Sequence, residues 1–205
     1  MSPDPDTTIV LPGPDRRALV LLHGRGGTEG DLVAIARAVA PERFLVAPRG
    51  PEPEGAGWAW FRHHRIGVPV RESLDERLEE MAAWLDGELA RLELTEPVTL
   101  VGFSNGGMMA GALLSARPGL VEGAALLAGA YPLPEDLLAP GRLDGRRVLA
   151  TRGGADPFFD DAQLAAGAEA YRRAGAAVET VVDPEGGHGV TPRLAGALEA
   201  WLHTA

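Results

Sequence analysis

The sequence predicts an α/β fold: a mostly parallel, doubly wound sheet of about seven strands with helices on both faces and no large lid. Three observations lead there. Short apolar runs without polar alternation recur along the chain, as expected of strands covered on both faces. Segments with apolar residues at helical spacing lie between those runs. Glycine-rich turns follow several of the runs, where a parallel sheet presents its functional loops. The 205 residues are expected to form one domain, 1–205, long enough to bury a full core.

The elements follow in chain order. A weak strand near Thr8–Leu11 precedes a strong one at Ala18–Leu22. Leu32, Ile35, Ala36 and Val39 then make a helical stripe, with Thr28 or Asp31 as its cap. Phe44–Ala47 is the next strand. A long stretch from Pro48 to Arg71, rich in Pro and Gly, carries Trp58, Trp60 and Phe61. Ser73 and Glu76 have capping-box spacing, ahead of an apolar face of Leu74, Leu78, Met81, Leu85, Leu89 and Leu92. Strands at Val98–Val101 and Ala124–Ala128 bracket a helix rich in small residues. A Pro-rich connection, Ala130 to Arg147, leads to the strand Val148–Thr151. Asp160 or Asp161 caps a helix that Gly175 stops. After the strand Val178–Val182, Thr191-Pro192 opens a last helix, buried through Leu194, Leu198 and Trp201.

Composition narrows the function. The formal net charge of -10 argues against nucleic acid or an anionic membrane surface as a partner. Arginine is the basic residue throughout and lysine is absent, a compositional bias like the richness in Ala, Gly and Pro. With no cysteine, the chain has no disulfide, thiolate metal site or cysteine nucleophile. The acidic, Pro-rich start, Met1-Ser2-Pro3-Asp4-Pro5-Asp6, is unlike a secretory leader, and no apolar run is long enough for stable membrane insertion. A cytoplasmic protein is expected. A homodimer is compatible with the sequence but not indicated by it.

The chemistry centres on Gly102-Phe103-Ser104-Asn105-Gly106, directly after the apolar run Val98–Val101. A buried strand ending in G-x-S-x-G and continuing into a helix reads as a nucleophile elbow, a sharp turn that lifts a serine hydroxyl above the sheet. A Cβ at either glycine would push strand and helix apart. A serine hydroxyl needs a base within hydrogen-bond reach, and the base needs an orienting carboxylate. Asp156 lies in the loop after Val148–Thr151, and His188 in the loop after Val178–Val182. Asp160, Asp161 and Asp183 compete with Asp156, but the first two suit helix caps and Asp183-Pro184 suits a turn. For the oxyanion, one donor is the backbone N–H of Asn105 at a helix N-terminus. The other is the backbone N–H of Arg25 in His23-Gly24-Arg25-Gly26-Gly27. His23 reads as a packed, hydrogen-bonded residue below the site.

These residues bring out a resemblance. The chain resembles the small phospholipase/carboxylesterase family of the α/β-hydrolases, which includes the acyl-protein thioesterases. The likeness rests on Leu22-His23-Gly24-x-Gly26, Ala47-Pro48-Arg49-Gly50-Pro51, Trp58-Ala59-Trp60-Phe61, the elbow, Asp156-Pro157 and Gly187-His188. It implies the α/β-hydrolase fold, the catalytic triad Ser104, Asp156 and His188, and an oxyanion hole from the amides of Arg25 and Asn105. The thioesterase members usually carry glutamine where this chain has Asn105, and often an acid where it has Arg62. The related dienelactone hydrolases use a cysteine nucleophile, which this chain cannot supply.

The expected activity is hydrolysis of short-to-medium acyl carboxylic esters, small molecules, through an acyl-enzyme. An acyl thioesterase or lysophospholipase on the same triad is the alternative, and a non-catalytic ligand-binding relative a remote one. Acyl transfer or peptide cleavage by the same residues also stays open. Trp58, Trp60 and Phe61, with Phe158 and Phe159, are expected to wall the substrate pocket. Met108 and Met109 read as core. The basic stretch Phe61-Arg62-His63-His64-Arg65 reads as a solvated loop, or with Arg25 as an attraction for an anionic ester. No metal and no cofactor is expected, since neighbouring His63 and His64 seldom converge on one ion.

Overall fold

The computed structural model describes residues 3, 5–131 and 133–204. Met1, Ser2 and Asp4 of the acidic start, Pro132 of the second long connection, and Ala205 lie outside the described residues. Every expected strand is present. A 7-stranded sheet comprises β1 (Ile9–Leu11), β2 (Asp15–Leu22), β3 (Arg43–Ala47), β8 (Val98–Phe103), β9 (Val121–Leu127), β10 (Arg147–Gly153) and β11 (Ala177–Asp183). Its order is β1-β3-β2-β8-β9-β10-β11. Only β1 runs antiparallel, with Ile9 opposite Ala47. The other pairings are parallel, so β2, β8, β10 and β11 all deliver their following loops to one edge.

Period-two alternation divides the apolar strand residues between the two faces. Leu19, Leu21, Leu45, Val101, Leu127 and Leu149 pack beneath α1 (Val33–Val39) and α5 (Pro192–His203). Val20, Leu22, Val46, Leu100, Leu126 and Val148 pack beneath α2 (Arg71–Arg91), α3 (Asn105–Ala116) and α4 (Asp161–Arg173). The long stretch after β3 folds into two small hairpins: β4 (Glu52–Glu54) with β5 (Gly57–Ala59), and β6 (His63–Arg65) with β7 (Val68–Pro69).

The last two helices start as expected. Asp160 caps α4 in a reciprocal capping box with Gln163, and Gly175 at φ +102 follows its end. Thr191 accepts from Leu194 N–H at 3.3 Å, with Pro192 in the first helical position of α5. The first two helices depart from expectation. The N-cap of α1 is Leu32, without a side-chain cap. The Asp31 carboxylate instead accepts from the backbone and hydroxyl of Thr28, closing the preceding turn. The α2 helix begins three residues early, at Arg71, so Ser73 lies inside it rather than at its cap. Buried there, the Ser73 hydroxyl accepts from Arg62 N–H at 3.0 Å and ties the β6–β7 hairpin to the helix. Among the described residues, no helix is long and apolar enough to cross a membrane.

Candidate active site

Ser104 is the cap of α3, with φ 52 and ψ −113. A non-glycine residue in that region costs on the order of 1–3 kcal/mol and persists only when its surroundings fix it. Here they do. Ser104 N–H donates to Leu127 O at 2.8 Å, and Met108 N–H donates to Ser104 O at 3.2 Å. A Cβ on Gly102 would sit 2.2 Å from Gly106 O, and one on Gly106 would sit 2.1 Å from Leu22 O. Strand, turn and neighbouring strand meet backbone against backbone. Gly129 is equally tight, its added Cβ falling 2.5 Å from Ser104 O. Sequence reasoning missed Gly129; its position just past β9, beside the elbow strand, was the available signal.

The loops after β10 and β11 support each other in the same way. Gly154 N–H donates to Asp183 O at 2.6 Å, and Ala155 N–H to Gly186 O at 2.8 Å. This places His188 Nε2 3.0 Å from Ser104 Oγ and His188 Nδ1 2.7 Å from Asp156 Oδ2. The Asp156 side chain is fully buried. Its other oxygen accepts from the amides of Phe158 at 2.8 Å and Phe159 at 3.2 Å. The imidazole is flanked by Phe103, with ring centroids 5.0 Å apart, and by the edge of Phe158 at 5.2 Å. The competing carboxylates are engaged elsewhere: Asp160 caps α4, Asp161 pairs with Arg152, and Asp183 accepts from the Thr191 hydroxyl at 2.6 Å.

A cavity of about 200 Å³ opens over the serine, and both Arg25 and Asn105 line it. Asn105 begins α3, so its N–H has no acceptor within the helix, and the positive end of the helix dipole faces the cavity mouth. In the β2–α1 loop the Gly26 and Gly27 amides bond to Trp58 O and Gly24 O, whereas the Arg25 amide has no partner among the described residues. Below this loop His23 is buried, receiving Gly50 N–H on Nε2 at 3.0 Å. Its Nδ1 therefore carries the proton and donates to Gly24 O at 2.7 Å. Burial holds the His23 pKa below the usual histidine range.

A buried acid, an imidazole and a hydroxyl in line at the edge of such a sheet are the equipment of a hydrolase. Residues 7–204 match the family described as phospholipase/carboxylesterase. The chain belongs to that family. Esterase YpfH of Escherichia coli (strain K12) is 28% identical over 199 residues, covering 90% of this chain and 82% of its own length. The carboxylesterase from Mesorhizobium loti superposes with a TM-score of 0.82 at 30% identity, covering 93% of this chain and 90% of its own. The Bacillus cereus carboxylesterase superposes at 0.85 and 25% identity, covering 96% and 93%. The resemblance and the α/β-hydrolase fold read from the sequence are both borne out, and the chain is an ester-hydrolysing enzyme.

The walls of this phospholipase/carboxylesterase cavity are not the ones expected. Trp60, Phe61 and Phe159 are wholly buried core residues, and Trp58 lies outside the cavity, with Arg49 stacked over its ring at 5.3 Å. Trp60 is held from both ends, its indole N–H donating to His23 O and its amide to Asn105 Oδ1, each at 2.8 Å. Of the five aromatics only Phe158, 45% exposed, lines the cavity. The rest of the wall comes from Ile66, Gly67, Phe103, Tyr131 and His63, with Met108 rather than Met109 at its base. Gly67 packs directly on the Tyr131 ring, and the Tyr131 hydroxyl donates to Phe158 O at 2.9 Å. Burial, and then the nearby Asp156 and Asp160, push the Tyr131 pKa to about 12, so it remains a donor at neutral pH. Its place beyond β9, at the edge that carries the serine, was the signal that could have found it. His63 lies beside the Asn105 side chain, and among the described residues no group of three metal-binding side chains forms.

Proposed function

We propose that this enzyme is a serine carboxylesterase that hydrolyses short-to-medium acyl esters of small molecules through a Ser104 acyl-enzyme. The observation that carries the reading is the continuous chain from Ser104 Oγ through His188 to Asp156, at 3.0 and 2.7 Å, beside a cavity with free amides. His188 Nε2 takes the Ser104 proton as Oγ attacks the ester carbonyl. The tetrahedral oxyanion rests on the amides of Arg25 and Asn105. His188 then delivers the proton to the leaving alcohol, and water repeats the cycle on the acyl-enzyme. Asp156 fixes the Nδ1–H tautomer and stabilises the imidazolium.

The size of the cavity supports small substrates. At about 200 Å³ it falls below the roughly 300–1,000 Å³ of pockets that hold drug-sized ligands. Tyr131 against Gly67, and the Phe158 ring, limit its reach. The reading needs no cofactor, and with no cysteine in the chain it fits action in the cytoplasm. A fluorophosphonate probe tests it: one covalent label on Ser104 that is lost in Ser104→Ala, together with turnover of acetyl and butyryl esters ahead of long-chain esters and thioesters. Labelling elsewhere, or faster turnover of long-chain thioesters, would overturn it.

A further inference from the structure

We propose that His63 is a positioning residue of the esterase site, clamping the β6–β7 wall of the cavity onto the first residue of α3 through a hydrogen bond that Asn105 donates. The proposal rests on the esterase reading above. Donor and acceptor logic fixes the arrangement. Trp60 N–H can only donate, so the Asn105 atom 2.8 Å from it is the carbonyl Oδ1. The amide nitrogen of Asn105 therefore faces His63 Nε2 at 3.1 Å. An amide NH₂ can only donate, so Nε2 presents its lone pair and the His63 proton sits on Nδ1.

One side chain thus grips the wall at two points, Trp60 and His63, and both grips start from the residue next to the proposed nucleophile. The hairpin between them and α2 supplies Ile66 and Gly67 to the cavity. Its other ties include Val70 N–H to Arg62 O at 2.9 Å, the Ser73 hydroxyl, and Gly67 packed on the Tyr131 ring. The clamp holds only neutral His63. A protonated ring would point an N–H at the Asn105 NH₂, and turning the amide over would set that NH₂ against Trp60 N–H. The charged groups facing His63 are Arg25 from the β2–α1 loop and Glu54 from β4, with His188 and Tyr131 across the cavity and His64 and Arg65 on its own hairpin. Burial, and then Arg25, hold its pKa below the usual histidine range. The hydrogen bond is therefore intact at neutral pH and is lost as the solution becomes acid.

Steady-state kinetics on a neutral short-chain p-nitrophenyl ester, from about pH 5 to 8, separate this role from mere packing. The wild-type KM should climb on the acid side. His63→Gln, whose side-chain carbonyl accepts the same bond without titrating, should keep a low KM across the range. His63→Leu should raise KM several-fold at every pH with a much smaller change in kcat. An acid rise in KM that persists in His63→Gln, or a wild-type KM in folded His63→Leu, would overturn the clamp. Nitrogen-resolved NMR of the imidazoles in Ser104→Ala supplies a readout free of turnover. His63 should be the Nδ1–H tautomer and protonate at lower pH than free histidine; an Nε2–H tautomer overturns the proposal. A wild-type protein without esterase activity removes the esterase reading and this role with it, whereas a failed tautomer assignment removes the clamp alone.

Discussion

The two sides of the rim above the sheet are built by different means. The side that carries Ser104, Asp156 and His188 is set by backbone against backbone: Gly102 on Gly106, Gly129 on Ser104, Gly153 and Gly154 on the histidine loop. Opposite, residues 60–69 are fastened by side chains, with Asn105 on Trp60 and His63, Ser73 on Arg62, and Tyr131 on Gly67. Close backbone approach admits glycine alone, so the first side leaves a visible signature in the sequence. Side-chain fastening can be met by many residue types, so the second leaves almost none.

The contrast can be broken most sharply at the triad. Ser104→Ala should abolish ester turnover, and Asp156→Asn should lower kcat about 10⁴-fold, by analogy with other Ser-His-Asp hydrolases. Both proteins should melt like wild type; residual activity within tenfold of wild type in either would sink the mechanism. Next in size, Trp60→Ala should cost about 3–5 kcal/mol, because it empties a core site rather than a substrate pocket. A urea titration that shows less than about 1 kcal/mol of loss would return Trp60 to the cavity wall. Gly106→Ala should destabilise by about 2–3 kcal/mol or prevent folding, its Cβ meeting two carbonyl oxygens. An unchanged denaturation midpoint would mean that the elbow tolerates a side chain.

Smaller effects sharpen the other side. Phe158→Ala should leave stability within about 0.5 kcal/mol, since the ring is half exposed. It should instead shift KM and admit longer acyl chains, which a chain-length series would read. The smallest effect belongs to His23. Its pKa is lowered in the folded protein, so the unfolded chain binds the proton first. Stability should be level above about pH 6.5 and decline as the pH falls from there towards 5. Urea midpoints at several pH values test this; His63, whose pKa is lowered as well, adds to the decline in the same window, so His23→Asn should flatten part of it.

Much of the fold was legible because burial on both faces forces uninterrupted apolar runs, and all the expected strands formed where those runs lie. One limit is instructive. Ala124–Ala128 reads as continuous strand, but Ala128 turns to φ 48, under the elbow, where tertiary contact overrides local pattern. Caps were legible for α4 and α5, whose capping residues face only their own first turns. They were misread for α1 and α2, because Asp31 and Ser73 found partners outside the helix they were meant to cap. Asp156 could be preferred to its rivals from sequence because those rivals had simpler uses as caps or turns. That its carboxylate meets His188 depends on two loops separated by the whole of α4.

The sequence by itself determined the strand runs, the glycines at close backbone contacts, and the order of serine, aspartate and histidine along the chain. Each of these follows from local rules: what a two-sided strand must bury, where a Cβ has no room, and which chemistry needs which side chain. Only the tertiary structure decided which aromatics became core and which became wall, and which way Asn105 points. Those outcomes depend on partners distant in the chain. A tryptophan's burial, or an amide's orientation, is fixed by whichever donor or ring the fold brings against it.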